Sequence, residues 1–141
     1  MSNVRNVFSI SQDLADQIAT AALEEAQKTD KSFSISIVDE GGNLKRFVRQ
    51  DGAKLNSVQV SQDKAYTAAS SGMPTQQWSE LLKKDEVLAT GAPTAISRLV
   101  TMGGGLPIVV EGNVVGGLGV SGAHWTDDVK VALAGLSVLD R

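Results

Sequence analysis

Leu14, Ile18, Ala22 and Ala26 recur every four residues, and Ala15, Ala19 and Leu23 widen the stripe they form. A stripe of that period is the buried face of an amphipathic helix. The helix is expected to start after Ser9 or Ser11, where serine and aspartate side chains accept the first unpaired N–H groups. The period then changes. Phe33, Ile35 and Ile37 alternate with Ser34 and Ser36, which reads as a half-buried strand. Asp39-Glu40-Gly41-Gly42-Asn43 supplies a turn, and Leu44 to Arg49 returns as the second strand of a hairpin.

Leu55 to Ser71 reads as a helix, with Val58, Ala65, Ala68 and Ala69 on its buried side and Gly72 as its stop. Pro74-Thr75 opens a short helix through Trp78, Leu81 and Leu82. Lys84 to Pro93 reads as loop, and Ala95 to Met102 as a short strand leading into Gly103-Gly104-Gly105. Leu106 to Glu111 and Val114 to Val120 are β-branched runs around the tight-turn pair Gly112-Asn113. A last helix is expected from about Asp127 to Leu139, with Thr126 as its cap and Asp127 and Asp128 at the positive end of its dipole. The order is α-ββ-αα-βββ-α. Hairpin links favour antiparallel pairing, so the fold class is α+β, an antiparallel sheet flanked by helices.

A chain of 141 residues suits a single domain over 1–141 and buries a core without staples. A hydrophobic content of 42% argues against disorder. No apolar run is long enough to span a bilayer, and Met1 to Ile10 lacks the charge, apolar stretch and cleavage site of a secretory signal. The cytoplasm is the expected location, with no membrane partner. The chain has no cysteine, which removes disulfides and thiolate metal sites. The net charge of -3, scattered basic residues and only 4% aromatics argue against nucleic acid as a partner.

Val38-Asp39-Glu40-Gly41-Gly42-Asn43-Leu44, followed by Arg49-Gln50-Asp51-Gly52-Ala53, resembles the VDxGGxL…RxDGA pattern of GlcG/HbpS-like (DUF336) proteins. That family is related to the C-terminal domain of PduO-type proteins. Asp63-Lys64-Ala65-Tyr66-Thr67-Ala68-Ala69 resembles its KAxTA helix. Gly103-Gly104-Gly105-Leu106-Pro107-Ile108 is similar to its GGxPI turn, and Gly116 to Gly122 to its GxxGVSG segment, with Asp127-Asp128 after it. The match runs from about Ser9 to Leu136. The resemblance implies a profilin-like fold and self-association into homo-oligomers. It also implies a small-molecule ligand: some members bind haem, and others sit beside catabolic enzymes. The fold is better fixed by it than the function.

Within those motifs, several residues carry candidate chemistry. Gly117 to Gly122 fits G-x-G-x-x-G, but too few residues follow to build the βαβ unit a dinucleotide site needs. Gly103, Gly104 and Gly105 read either as an anion nest of backbone N–H groups or as a turn needing unusual φ angles. Ser121 and Gly122 form a second glycine turn before a helix start, a place that attracts anions. His124 is the only histidine, and His124-Trp125 departs from the small residues that the family places there. It is a candidate general acid or base, a candidate haem ligand, or a surface histidine shielded by Trp125. Haem-binding relatives are understood to place their ligand histidine near the first helix, where this chain has none; Met73, Met102 and Tyr66 remain as other ligand types. One histidine with scattered carboxylates gives no metal-ligand spacing. Lys64 and Arg49 are the cationic candidates, Lys64 as a catalytic base or carboxylate contact and Arg49 as a ligand contact, each set against an ion pair with Asp39, Asp51 or Asp63.

Two functions follow. The first is a binding module that holds a small acidic or planar ligand between the two glycine turns, with Arg49, Gly103 to Gly105, Ser121, Gly122 and Trp125 around it. The second is a cofactor-free enzyme, an isomerase, lyase or hydrolase acting on a small organic acid or ring compound, with His124 and Lys64 moving protons. Haem binding or degradation is a further alternative, and haem is the only cofactor that the resemblance brings in.

Overall fold

A computed structural model describes residues 3–141. Ser11 accepts the Leu14 N–H at 3.1 Å, and the first helix, α1, follows over Gln12–Gln27 with Ala15, Ile18, Ala19, Ala22 and Ala26 buried. The hairpin forms as its alternation dictates, with β1 at Ser34–Asp39 and β2 at Leu44–Arg49. Three helices follow: α2 at Leu55–Ser71, α3 at Gln76–Lys84 and α4 at Glu86–Ala95. The second hairpin pairs β3, Gly105–Val110, with β4, Asn113–Ser121. Helix α5, Trp125–Leu136, runs into a short 3-10 turn at Ser137–Asp140. The four strands make one antiparallel sheet in the order β2-β1-β4-β3, so the two hairpins join through β1 and β4. Among the described residues no helix is long and apolar enough to cross a membrane.

The sheet has two unlike faces. Ile35, Ile37, Ile108, Leu118 and Val120 join Ile18 and Ala22 of α1 and Val131 and Ala132 of α5 in one apolar core. The other face lies under α2, which packs on β1, β4 and β3. Here the sheet presents Ser34 and Ser36, whose hydroxyls meet Ser57 and Ser61 of α2 at 2.8 and 2.7 Å. Beside them Gly117 and Gly119 are bare: a Cβ on Gly119 would run into the Ser61 carbonyl oxygen, and one on Gly117 into that of Ala65. Glycine here lets the helix backbone approach the strands more closely than any side chain permits.

The α+β class and the antiparallel sheet flanked by helices are as the pattern predicts. Four local expectations fail. Lys84 to Pro93 is not loop: Asp85 accepts the Leu88 N–H at 3.0 Å and starts α4, which keeps Pro93 in its last turn. Ala95 to Met102 forms no strand, so the second half of the sheet has two strands rather than three. Arg98 takes a φ of 63°, which turns the chain out of extended conformation. Thr67 holds that turn, donating to the Arg98 carbonyl at 2.9 Å and accepting the Val100 N–H at 3.1 Å. Helix α5 starts at Trp125 with His124 as its cap, ahead of the expected Thr126 cap and Asp127 start, and it ends at Leu136. Finally, the buried side of α2 is Ser57, Ser61, Lys64, Ala65, Thr67 and Ala68, with Val58 and Ala69 only partly covered.

Candidate functional site

Lys64 is buried in mid-helix, 1% exposed, against the end of β4. Its Nζ donates to Asp128 Oδ2 and to the Val120 carbonyl, both at 2.9 Å. Asp128, 2% exposed, uses Oδ1 to accept the Ala123 N–H at 3.1 Å. Burial pulls the Lys64 ammonium below its ordinary value, against the pull of the Asp128 charge and hydrogen bond. Burial likewise pushes the Asp128 carboxyl up, against Lys64 and the Ala123 bond. Gly104 closes the lid on this pair. Its φ is 124°, and a Cβ there would stand 2.8 Å from Lys64 Nζ and 2.6 Å from the Val120 oxygen. Lys64 therefore has no route to a ligand in this arrangement, and its partner is Asp128 rather than Asp39, Asp51 or Asp63. It ties α2 to the loop between β4 and α5.

Two glycines of the run 103–105 are likewise committed. The Gly105 N–H donates to Thr75 Oγ1 at 3.0 Å, and the Gly104 carbonyl accepts the Val120 N–H at 2.9 Å. A nest of free N–H groups needs donors that point outward, and the donor of Gly105 is spent. Arg49 is placed apart from both glycine turns in use. Its Nε and Nη2 both donate to the Ala53 carbonyl, at 3.1 and 2.7 Å, which closes the turn from β2 into α2.

What remains open lies around the second glycine turn. Ser121, Gly122 and His124 line a groove of about 460 Å³ together with Lys31, Lys54 and Asn56. Lys54 is the N-cap of α2 and makes no side-chain capping bond, so the first N–H groups of that helix have no side-chain cap. His124 is exposed; its Nδ1 lies 2.8 Å from Thr126 Oγ1 and accepts the Thr126 N–H at 3.3 Å. Lys31 Nζ reaches Asp127 Oδ2 at 3.4 Å, a half-exposed pair of little net strength. Trp125 leaves this groove. It lines a second cavity with Gly103, which shares no lining residue with the first. The two glycine turns thus serve two separate cavities, and Lys64, Gly104 and Gly105 are buried outside both linings. Lys31, Lys54 and Asn56 carry no motif; only their places, just before β1 and at the start of α2, give them away. Among the described residues no group of three or more histidine and acidic side chains is placed to hold a metal ion.

Comparison with known proteins places this geometry. The family model described as haem degrading protein HbpS-like matches residues 10–137. Protein GlcG of Escherichia coli K12 is 37% identical over 112 residues, which is 79% of this chain and 81% of that protein. The crystal structure of Klebsiella pneumoniae protein ORFY, DUF336, superposes with a TM-score of 0.91 at 29% identity, covering 99% of this chain and 97% of that one. The crystal structure of a PduOC:haem complex superposes with a TM-score of 0.84 at 28% identity, over 92% of this chain and 94% of that one.

Proposed function

Since the chain belongs to the HbpS-like family, we propose that it binds a small organic anion in the groove between Lys31, Lys54 and His124. The observation that carries this reading is the convergence of the Lys31 and Lys54 cations, with His124 beside them, on the start of α2, which has no side-chain cap. A helix N-terminus favours negative charge, and cations lining a cleft raise the local concentration of an anion. A volume of about 460 Å³ is that of a small-molecule site. Ser121 and Asn56 add hydrogen-bonding partners that can orient a carboxylate.

The same groove holds the enzyme reading, with His124 as the acid or base. Its Nδ1 faces Thr126 rather than a carboxylate, so no acid orients the ring through that nitrogen. Binding without turnover is the better supported of the two.

Haem is the ligand of one relative. Two lysines suit its propionates, and His124 keeps Nε2 clear of its capping bonds. The walls do not fit: Lys31, Lys54, Asn56, Ser121 and Gly122 offer no apolar slot for a porphyrin face. The groove suits a small polar acid instead.

Calorimetric titration with a panel of small mono- and dicarboxylates tests this. At least one should bind saturably, and Lys31→Ala/Lys54→Ala should weaken it at least about tenfold, with steeper loss of affinity in salt for the native chain. His124→Ala should reduce affinity by less. Unchanged affinity in the lysine double variant would remove the groove as the site.

A further inference from the structure

Lys64 and Asp128 line neither cavity, yet the bonds they make end on one wall of the basic groove. Two segments supply most of that groove's lining. One is the start of α2, with Lys54, Asn56 and Ser57; the other is the turn from β4 into α5, Ser121 to His124. Lys64 stands about 15 Å along the axis of α2 from Lys54, so it moves with the first wall.

Its Nζ donates to the Val120 carbonyl, just before the turn, and to Asp128 Oδ2, both at 2.9 Å. Asp128 Oδ1 accepts the Ala123 N–H, inside the turn, at 3.1 Å. The His124 carbonyl in its place accepts the Asp128 N–H at 3.1 Å. One pair thus grips the second wall before and within its turn and ties it to the helix that carries the first. Both side chains are buried, so salt and water weaken this tie far less than the half-exposed Lys31–Asp127 pair.

We propose that Lys64 and Asp128 are positioning residues of the anion groove: their pair fixes the separation of its two walls, and the affinity of the groove depends on that separation. The proposal rests on the reading of the groove as an anion site. Neither residue touches the ligand. They act through Val120 and Ala123, because a site loosened by about 1 Å no longer presents its two walls to the same small ligand at once.

Two double variants test this, each without a buried charge. Lys64→Met/Asp128→Asn keeps a side-chain acceptor for the Ala123 N–H, and Lys64→Met/Asp128→Leu keeps none. Both are checked by melting and titrated calorimetrically, beside the native chain, with a carboxylate panel that includes acetate and succinate. The leucine variant should bind the best acid at least about tenfold more weakly, and the asparagine variant should stay within about threefold of native. Without ligand, the Gly122 and His124 amide cross-peaks should shift in the leucine variant and stay near their native positions in the asparagine one. Should the leucine variant fail the melting check, Lys64→Gln/Asp128→Leu, whose amide can still donate to the Val120 carbonyl, takes its place. A leucine variant within twofold of native overturns the proposal and leaves the groove reading standing. An equal loss in both variants does the same, since the acceptor for Ala123 then has no bearing on affinity. No saturable binding of any acid by the native chain overturns both readings together.

Discussion

One face of the sheet is covered by α1 and α5 and the other by α2, and the two covers hold by different means. Beneath α1 and α5 lie Ile35, Ile37, Leu118 and Val120, which gain from removing apolar area from water. Beneath α2 lie Ser34, Ser36, Gly117 and Gly119, with little apolar area to remove. That side relies on backbone proximity, on two serine-to-serine bonds and on the Lys64–Asp128 pair. The first cover tolerates trimming because its gain is graded with area. The second tolerates neither addition nor loss, because contact is set by the backbone and by charges sealed from water.

Three experiments can break that contrast. The largest effect is expected for Lys64→Met, which leaves the Asp128 charge buried and unpaired; urea unfolding should show a loss of about 3–5 kcal/mol. Lys64→Met/Asp128→Leu should recover most of it, and a double variant as weak as the single one would mean that the pair does more than neutralise itself. Next come two one-methyl changes on opposite faces. Gly119→Ala adds a methyl against the Ser61 carbonyl and should cost about 2–3 kcal/mol. Ile37→Val removes a methyl from the apolar face and should cost about 1 kcal/mol. The reverse ranking of those midpoints would erase the distinction. The smallest effect is in pH. Burial raises the folded carboxyl of Asp128 above its ordinary 3.8, so the folded chain holds that proton more tightly than the unfolded chain does. The stability from this group is fully present below about pH 4 and is lost as pH rises through the raised folded value. The native chain should therefore gain on the Lys64→Met/Asp128→Leu variant as pH falls toward 4, measured by urea midpoints at matched salt.

The apolar face was legible in the sequence. Leu14 to Ala26 has the helix period, Phe33 to Ile37 alternates, and both patterns arise from area burial, which leaves its period in the chain. The α2 face left no such trace. Its buried residues are polar or small, so a search for an apolar stripe on Leu55–Ser71 settles on Val58 and Ala69 and misses Ser57 and Ser61. The partner of Lys64 lies 64 residues away, a distance no local spacing reveals. Asp128 did stand out, but only as a charge at a helix start, a role local reasoning could supply. Helix α4 was hidden by Thr90, Gly91 and Pro93, and the turn at Arg98 by the β-branched residues on either side of it. Asp85 and Thr67 override those preferences with hydrogen bonds from outside each segment's own pattern. Of the candidate site, His124, Ser121 and Gly122 were readable as a loop beside a strand end. The lysines that complete their groove were not, because they arrive from elements brought together only by the sheet.

The order β2-β1-β4-β3 has a consequence at the margins of the molecule. Both β2 and β3 turn one row of backbone groups outward, and such a row is a template on which another strand can form. β2 carries Lys45, Arg46 and Arg49, all exposed, so a second copy laid edge to edge there brings cation against cation. β3 carries Pro107, which has no N–H to offer, and is followed by Glu111, whose φ of 51° bends the chain away. Neither border invites ribbon-like growth. A second copy finds no ready strand template at either margin, and the sheet stays four strands wide.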